Sequence, residues 1–97
     1  MHVGVCKITF RLPQNSSLKG KRRVVSSLTT RLRNKFNVSV AEVENNDAWQ
    51  IATIGITCAS NSARHVDEVL ANVTAFIEAG RDDIEIVGQE QETLSGF

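Results

Sequence analysis

The densest group of chemically capable side chains is the run Leu18-Lys19-Gly20-Lys21-Arg22-Arg23, four cations in five residues. Arg33 and Lys35 add two more a few turns further on. Such residues donate hydrogen bonds and carry fixed charge, so their chemistry is the holding of anions, phosphates above all, not bond-making. Lys19, Lys21, Arg22, Arg23, Arg33 and Lys35 are therefore the candidate contacts to an anion or an RNA backbone. The competing expectation is a solvated face neutralised by Glu44, Asp47 and Asp83. Lys21 and Glu42 form a second constellation: each continues the apolar face of its element, which predicts a structural ion pair in the interior. An acid–base site there would need a further reactive group, and none is evident. Cys6 and Cys58 fall on apolar faces of strands that should be neighbours, close enough to approach each other, and are expected as reduced core thiols. His2 and His65 have no companions at metal-ligand spacing. No metal site, cofactor or catalytic residue is expected.

The 97 residues balance 11 Lys and Arg against 11 Asp and Glu, but the balance is not local. Residues 1–41 contain nine basic side chains and no acidic one, whereas residues 42–97 contain all eleven acids and only Arg64 and Arg81 as bases. This asymmetry suits an anionic partner, or charge compensation between the two halves within one fold. The length suits a single domain, 1–97. No apolar run approaches a membrane span, and the N-terminal residues lack the apolar stretch of a signal peptide. Two distant cysteines fit a reducing compartment, so a cytoplasmic setting is expected.

Positioning these groups requires regular elements, and the periodicities supply them. Val3–Leu12 alternates, with Cys6, Ile8, Phe10 and Leu12 on one face, which predicts a strand. Leu18, Lys21, Val25, Leu28, Leu32 and Phe36 form one helical stripe, with Ser16 or Ser17 as N-cap. Val38–Val43 and Trp49–Ala59 read as strands joined through Glu44–Asp47. A second helix follows Ser60-Asn61-Ser62, with a stripe of Val66, Val69, Leu70, Val73, Phe76 and Ile77, and Gly80 as its C′ residue. Ile84, Ile86 and Val87 mark a last strand, and 90–97 reads as a loosely ordered acidic tail.

The order βαββαβ, with one buried stripe per helix, predicts an α+β ferredoxin-like sandwich. Its antiparallel sheet has strand order 4-1-3-2 and carries both helices on one face. The start of the first helix, the Glu44–Asp47 connection and the turn after Gly80 should then meet at one end. Val3, Val5, Ala41, Val43, Trp49 and Ile51 fall on the sheet face away from the helices. A solvated face is rarely that apolar, so these residues are the candidate interface of a homo-oligomer. An RNA-stacking platform on that face would need paired aromatics, which the pattern lacks. An acylphosphatase-type enzyme would need a glycine-rich anion loop carrying an arginine after the first strand, and Pro13–Ser17 is not one.

The run SSLKGKRRVVSSLTTRLRNKFNVSVAEVENNDAWQ, with the later SNSARHVDEVL, resembles the YlxP-like family, domain of unknown function 503. The resemblance extends over essentially the whole chain. Ser17, Leu18, Lys19, Lys21, Arg22, Glu42 and Trp49 match the family pattern, while Gly20 stands where an acidic residue is common. Members are small bacterial proteins of ferredoxin-like fold, often encoded among genes for translation initiation and ribosome maturation. The resemblance thus implies a translation- or RNA-linked role and transfers no catalytic residue. The expected function is a non-enzymatic module contacting RNA or a ribosomal particle through the basic start of the first helix. The alternative is a homo-oligomeric interaction module using the open sheet face, without nucleic acid.

Overall fold

The computed structural model describes residues 1–97 as β1 (His2–Arg11), α1 (Leu18–Lys35), β2 (Ser39–Glu44), β3 (Ile51–Ser60), α2 (Ala63–Gly80) and β4 (Glu85–Ser95). The strands form one antiparallel sheet in the order β2-β3-β1-β4. This is the predicted ferredoxin-like arrangement. Residues of period two dictate which sheet face is buried: in register, Cys6 faces Ile56, Ile8 faces Ile54 and Phe10 faces Ala52. These join Val25, Leu28 and Leu32 of α1 and Val66, Leu70, Val73 and Ile77 of α2 in one core. Both helices therefore cover the same face.

Each helix starts where a serine can serve an unpaired amide. Ser17 Oγ accepts from Gly20 N at 2.9 Å, and Ser62 Oγ accepts from His65 N at 3.2 Å. The end of α2 departs from expectation. Gly80 is the last helical residue rather than a left-handed C′, and Arg81 follows in extended conformation. Neither helix is long and apolar enough to cross a membrane.

Residues 90–95 are not a loose tail but the second half of β4, paired with β1 from Arg11↔Glu85 to His2↔Ser95. Hydrophobic alternation stops at Val87 because the helix-facing positions there are polar. They are satisfied by α2: Gln89 Nε2 donates to Thr74 Oγ1 at 3.1 Å, and Thr93 Oγ1 donates to Asp67 Oδ1 at 2.8 Å. Backbone ladder and polar side chains hold a strand that apolar patterning does not reveal.

Two glycines permit close approaches. A Cβ on Gly4 would lie 2.4 Å from Val66 Cγ1 and 2.8 Å from Leu70 Cδ1, so α2 rests directly on the β1 backbone there. Val66 is fully buried and β-branched, and cannot rotate away. Gly4→Ala should therefore destabilise by about 1–3 kcal/mol through overpacking. This outweighs the roughly 0.4–1 kcal/mol that losing a glycine gains through the unfolded chain. Urea denaturation should show a lower midpoint with unchanged slope.

Candidate functional site

Lys21 lies one turn into α1, on the inward stripe between Leu18 and Val25, and its side chain is wholly buried. An ammonium in that position must find acceptors for three N–H groups and a compensating charge. The β2–β3 connection provides both. Lys21 Nζ donates to the carbonyl oxygens of Asn45 (2.6 Å), Asn46 (3.2 Å) and Ile51 (3.3 Å). Glu42 Oε2 approaches the same nitrogen at 3.1 Å. Three carbonyls take the three protons, which leaves Glu42 Oε2 buried and without a well-directed hydrogen bond of its own. The carboxylate thus acts through its charge. The expected Lys21–Glu42 pair is present, and the carbonyl cage around it is an addition that side-chain periodicity could not reveal.

The cage depends on local backbone chemistry. Asn45 adopts φ 62°, a left-handed conformation that asparagine tolerates. Its carbonyl also accepts from Ala48 N, and its Nδ2 donates to Thr53 Oγ1 at 2.8 Å. The loop before α1 is laced to the same connection. Asn15 Nδ2 donates to both Ser17 O (2.7 Å) and Trp49 O (2.6 Å). The Asn15 side chain fills the space beside Gly20, where a Cβ would come within 2.2 Å of Asn15 Oδ1. Gly20 is thus matched to this asparagine.

With Lys21 turned inward, Lys19, Arg22 and Arg23 stay exposed. Together with Ser26 and Ser27 they line an open concavity of about 670 Å³ on the outer flank of α1. The acids expected to neutralise them are engaged elsewhere or unpaired. Glu44 pairs with Lys7 at 3.0 Å, Asp83 holds the Arg81 guanidinium in two bonds of 2.8 Å, and Asp47 joins no ion pair. Arg81 in turn holds Asp83 below the usual carboxylate range, mainly through these hydrogen bonds. Of the nine cations in residues 1–41, only Lys7 and Lys21 are ion-paired. The first turn of α1 contains no acid. Lys19, in that turn, opposes the helix dipole at a cost of about 0.3–1 kcal/mol.

Arg33 and Lys35 do not join this group. Arg33 lies fourteen residues beyond Lys19, about 21 Å along the helix axis, and its Nη2 donates to Val40 O at 2.7 Å, fastening α1 to β2. Lys35 Nζ stands 6.0 Å from the Phe36 ring centre and 5.6 Å from that of Phe76. Arg31 also stacks on Phe76, at 5.4 Å. These cations suit the negative end of the helix dipole and have structural partners.

The open sheet face carries Val3, Val5, Ala41, Val43 and Ile51 as expected, joined by Val87 and Leu94 from β4. At Val43 the β2–β3 register shifts by one residue. The bulge sends Glu44 to the open face and folds Val43 over Gly55, where a Cβ would meet Val43 Cγ1 at 2.9 Å. Lys7, in register with the side-chain-free Gly55, reaches across to Glu44 and also to Glu90 at 3.5 Å. Those two carboxylates hold the Lys7 ammonium above its ordinary pKa, Glu44 contributing most. Beside this row lies a depression of about 310 Å³ lined by Val5, Ala41, Val43, Gly55 and Thr57. Trp49 is not part of this strand face. β3 begins at Ile51, and Trp49 sits in the preceding loop, 56% exposed.

Cys6 and Cys58 are free and buried, diagonal rather than opposite on adjacent strands, since Cys6 faces Ile56 and Gly4 faces Cys58. Burial pushes both thiols up, so neither is poised as a nucleophile. His2 Nδ1 hydrogen-bonds with Ser95 Oγ, and no three potential ligands gather where a metal ion could be held.

Fold and site together define a ferredoxin-like α/β sandwich with a cationic helix flank and an internal lysine cage. Residues 3–91 match a family model described as "Protein of unknown function (DUF503)", and the chain belongs to that family. It is 43% identical over 63 residues to the "Uncharacterized protein YlxP" of Bacillus subtilis (strain 168), spanning 65% of this chain and 68% of that protein. Two solved structures share the fold. A de novo designed protein, Foldit4, superposes at TM-score 0.55 and 12% identity, with 100% of both chains covered. A dimeric ferredoxin-like protein from an uncultured marine organism gives 0.52 and 8%, covering 100% of this chain and 99% of that one.

Lys21→Met should cost about 3–5 kcal/mol, because it leaves the largely buried Glu42 carboxylate without its counter-charge. Glu42→Gln should cost less, about 1–2 kcal/mol, since the ammonium keeps its three carbonyl bonds. Equilibrium denaturation of the two variants checks the order.

Proposed function

We propose that this protein is a non-enzymatic binding module for RNA or a ribonucleoprotein, acting in the cytoplasm in a translation- or ribosome-linked process. Contact is made by Lys19, Arg22 and Arg23 on the outer flank of α1. The observation that carries this reading is the gathering of three exposed cations on the first two turns of α1, with Lys19 in the turn where the helix dipole disfavours positive charge and no carboxylate paired to any of the three. An arrangement with a standing electrostatic cost is relieved when polyanionic phosphate supplies the missing charge. Arg33 and Lys35 contribute to the field without direct contact, because each already has a partner within the fold.

Binding of this kind weakens linearly in log K against log salt, with a slope of about −0.7 per phosphate neutralised on single strands. Replacing Lys19, Arg22 and Arg23 together by Ala should flatten that slope by about two units and leave the unfolding midpoint nearly unchanged, since none lies in the core. An unchanged slope, or no binding by the parent protein at low salt, would remove this reading.

A second reading rests on the open sheet face, where Val5, Val43, Val87 and Leu94 are all exposed. Self-association through that face would cover them, and one structural neighbour is described as dimeric. A standard interface covers roughly 800 Å² per partner. Sedimentation at tens of micromolar should then show a dimer that Val43→Glu disperses, whereas a monomer at that concentration counts against this reading.

A further inference from the structure

We infer that Trp49 is a stacking position for an unpaired base, and that the RNA held by this protein is single-stranded where it passes the start of α1. This inference rests on the RNA-binding reading above and adds the class of RNA to it.

Trp49 is more than half exposed, although burying its ring would be the most favourable use of so large an apolar group. The loop that carries it is fixed by other atoms. Its backbone carbonyl accepts from Asn15, Gln50 O accepts from Leu12 N at 2.9 Å, and Gln50 Nε2 donates to Pro13 O and Asn15 O. Two residues on, Ile51 O is held by Lys21. The indole is thus displayed on a loop held by its backbone and by Gln50. Through the single Asn15 amide, Trp49 is tied to Ser17, the N-cap of the helix whose flank carries Lys19, Arg22 and Arg23. Arg11, exposed and in register with Ile51, adds a cation on the β1 side without an ion pair. Asp47, close by in the same loop, and Asp82, beside Pro13 and Gln14, are acidic, so the phosphates must run along α1 and towards Arg11, not over the hairpin tip.

An exposed indole on a hydrogen-bonded loop tied to the start of a cationic helix matches how single strands are held, by phosphate neutralisation along the backbone and stacking of splayed bases. A duplex keeps its bases stacked inside and offers Trp49 nothing. The surface around Trp49 therefore discriminates between the two forms of RNA.

The chain has one Trp and no Tyr, so its intrinsic emission reports Trp49 alone. End-labelled 12-nucleotide oligouridylate and a labelled 12-base-pair RNA duplex would be titrated at low salt, following label anisotropy and Trp49 emission separately. The expected result is quenching of Trp49 by the single strand and not by the duplex. Trp49→Ala should weaken oligouridylate binding about tenfold or more, leave duplex binding within about twofold, and retain the parent thermal midpoint. Trp49→Phe should recover most of the loss. If anisotropy rises while Trp49 emission stays constant and Trp49→Ala binds both RNAs as the parent does, the stacking assignment is overturned and the phosphate-binding reading survives. If anisotropy does not change with either RNA, both fail together.

Discussion

An ammonium group placed inside a small apolar core is among the most demanding features a fold can carry, and Lys21 is such a group. Removing it from water costs several kcal/mol, which only well-made contacts offset. Here the solution is stoichiometric: three protons, three backbone carbonyls and one carboxylate. Those carbonyls belong to the β2–β3 connection, so the requirement of one side chain on α1 dictates the path of a loop more than twenty residues away. Lysine suits this better than arginine, because a compact ammonium with three rotatable donors fits a converging set of carbonyls, whereas a planar guanidinium needs acceptors in a fork.

The rest of the charge layout follows from that constraint. Turning Lys21 inward uses Glu42, and the bulge at Val43 delivers Glu44 to Lys7 on the opposite face. Both acids of β2 are then occupied on behalf of the sheet. Nothing acidic is paired with the outer flank of α1, so the first-half excess of positive charge reaches the surface there. The cage also pins the loop bearing Trp49 against the helix start, with Asn15 closing the remaining gap. Cationic flank and exposed indole are thus two consequences of one interior contact. At the other end of the molecule α2 is seated by shape, on the bare backbone of Gly4, and by polar links from Gln89 and Thr93.

Elements whose order depends on apolar phase were legible from the residues alone. The stripes of α1 and α2 and the inward placement of Lys21 and Glu42 rest on periods of 3.6 and 2, and the strand order follows from the element order and right-handed crossovers. Features set by backbone groups or by polar contacts were not. The second half of β4 has glutamines and glutamates where a strand usually shows alternating apolar residues, and only its ladder with β1 defines it. Trp49 has the composition of a strand residue, yet the carbonyl demands of Lys21 and the left-handed Asn45 prolong the turn, so β3 starts two residues later. The carbonyl cage leaves no trace in side-chain types. Arg33 and Lys35 looked like members of the anion site by charge, and helix length together with their local partners separates them from it.

The central claim is that the Lys21 cage holds the helix start and the β2–β3 connection as one unit, independent of the far end of the sandwich. Native-state hydrogen exchange on Lys21→Met tests this most directly. The amides of Leu12, Lys21 and Ala48 bond to Gln50, Ser17 and Asn45 and report the caged end, while the pairings of His2–Gly4 with Cys58–Ser60 report the other. The account predicts that protection falls sharply at the first three amides and, relative to global stability, is retained in the β1–β3 ladder around Gly4. Uniform loss across both ends, or protection at Leu12, Lys21 and Ala48 equal to that of the parent protein, would contradict it.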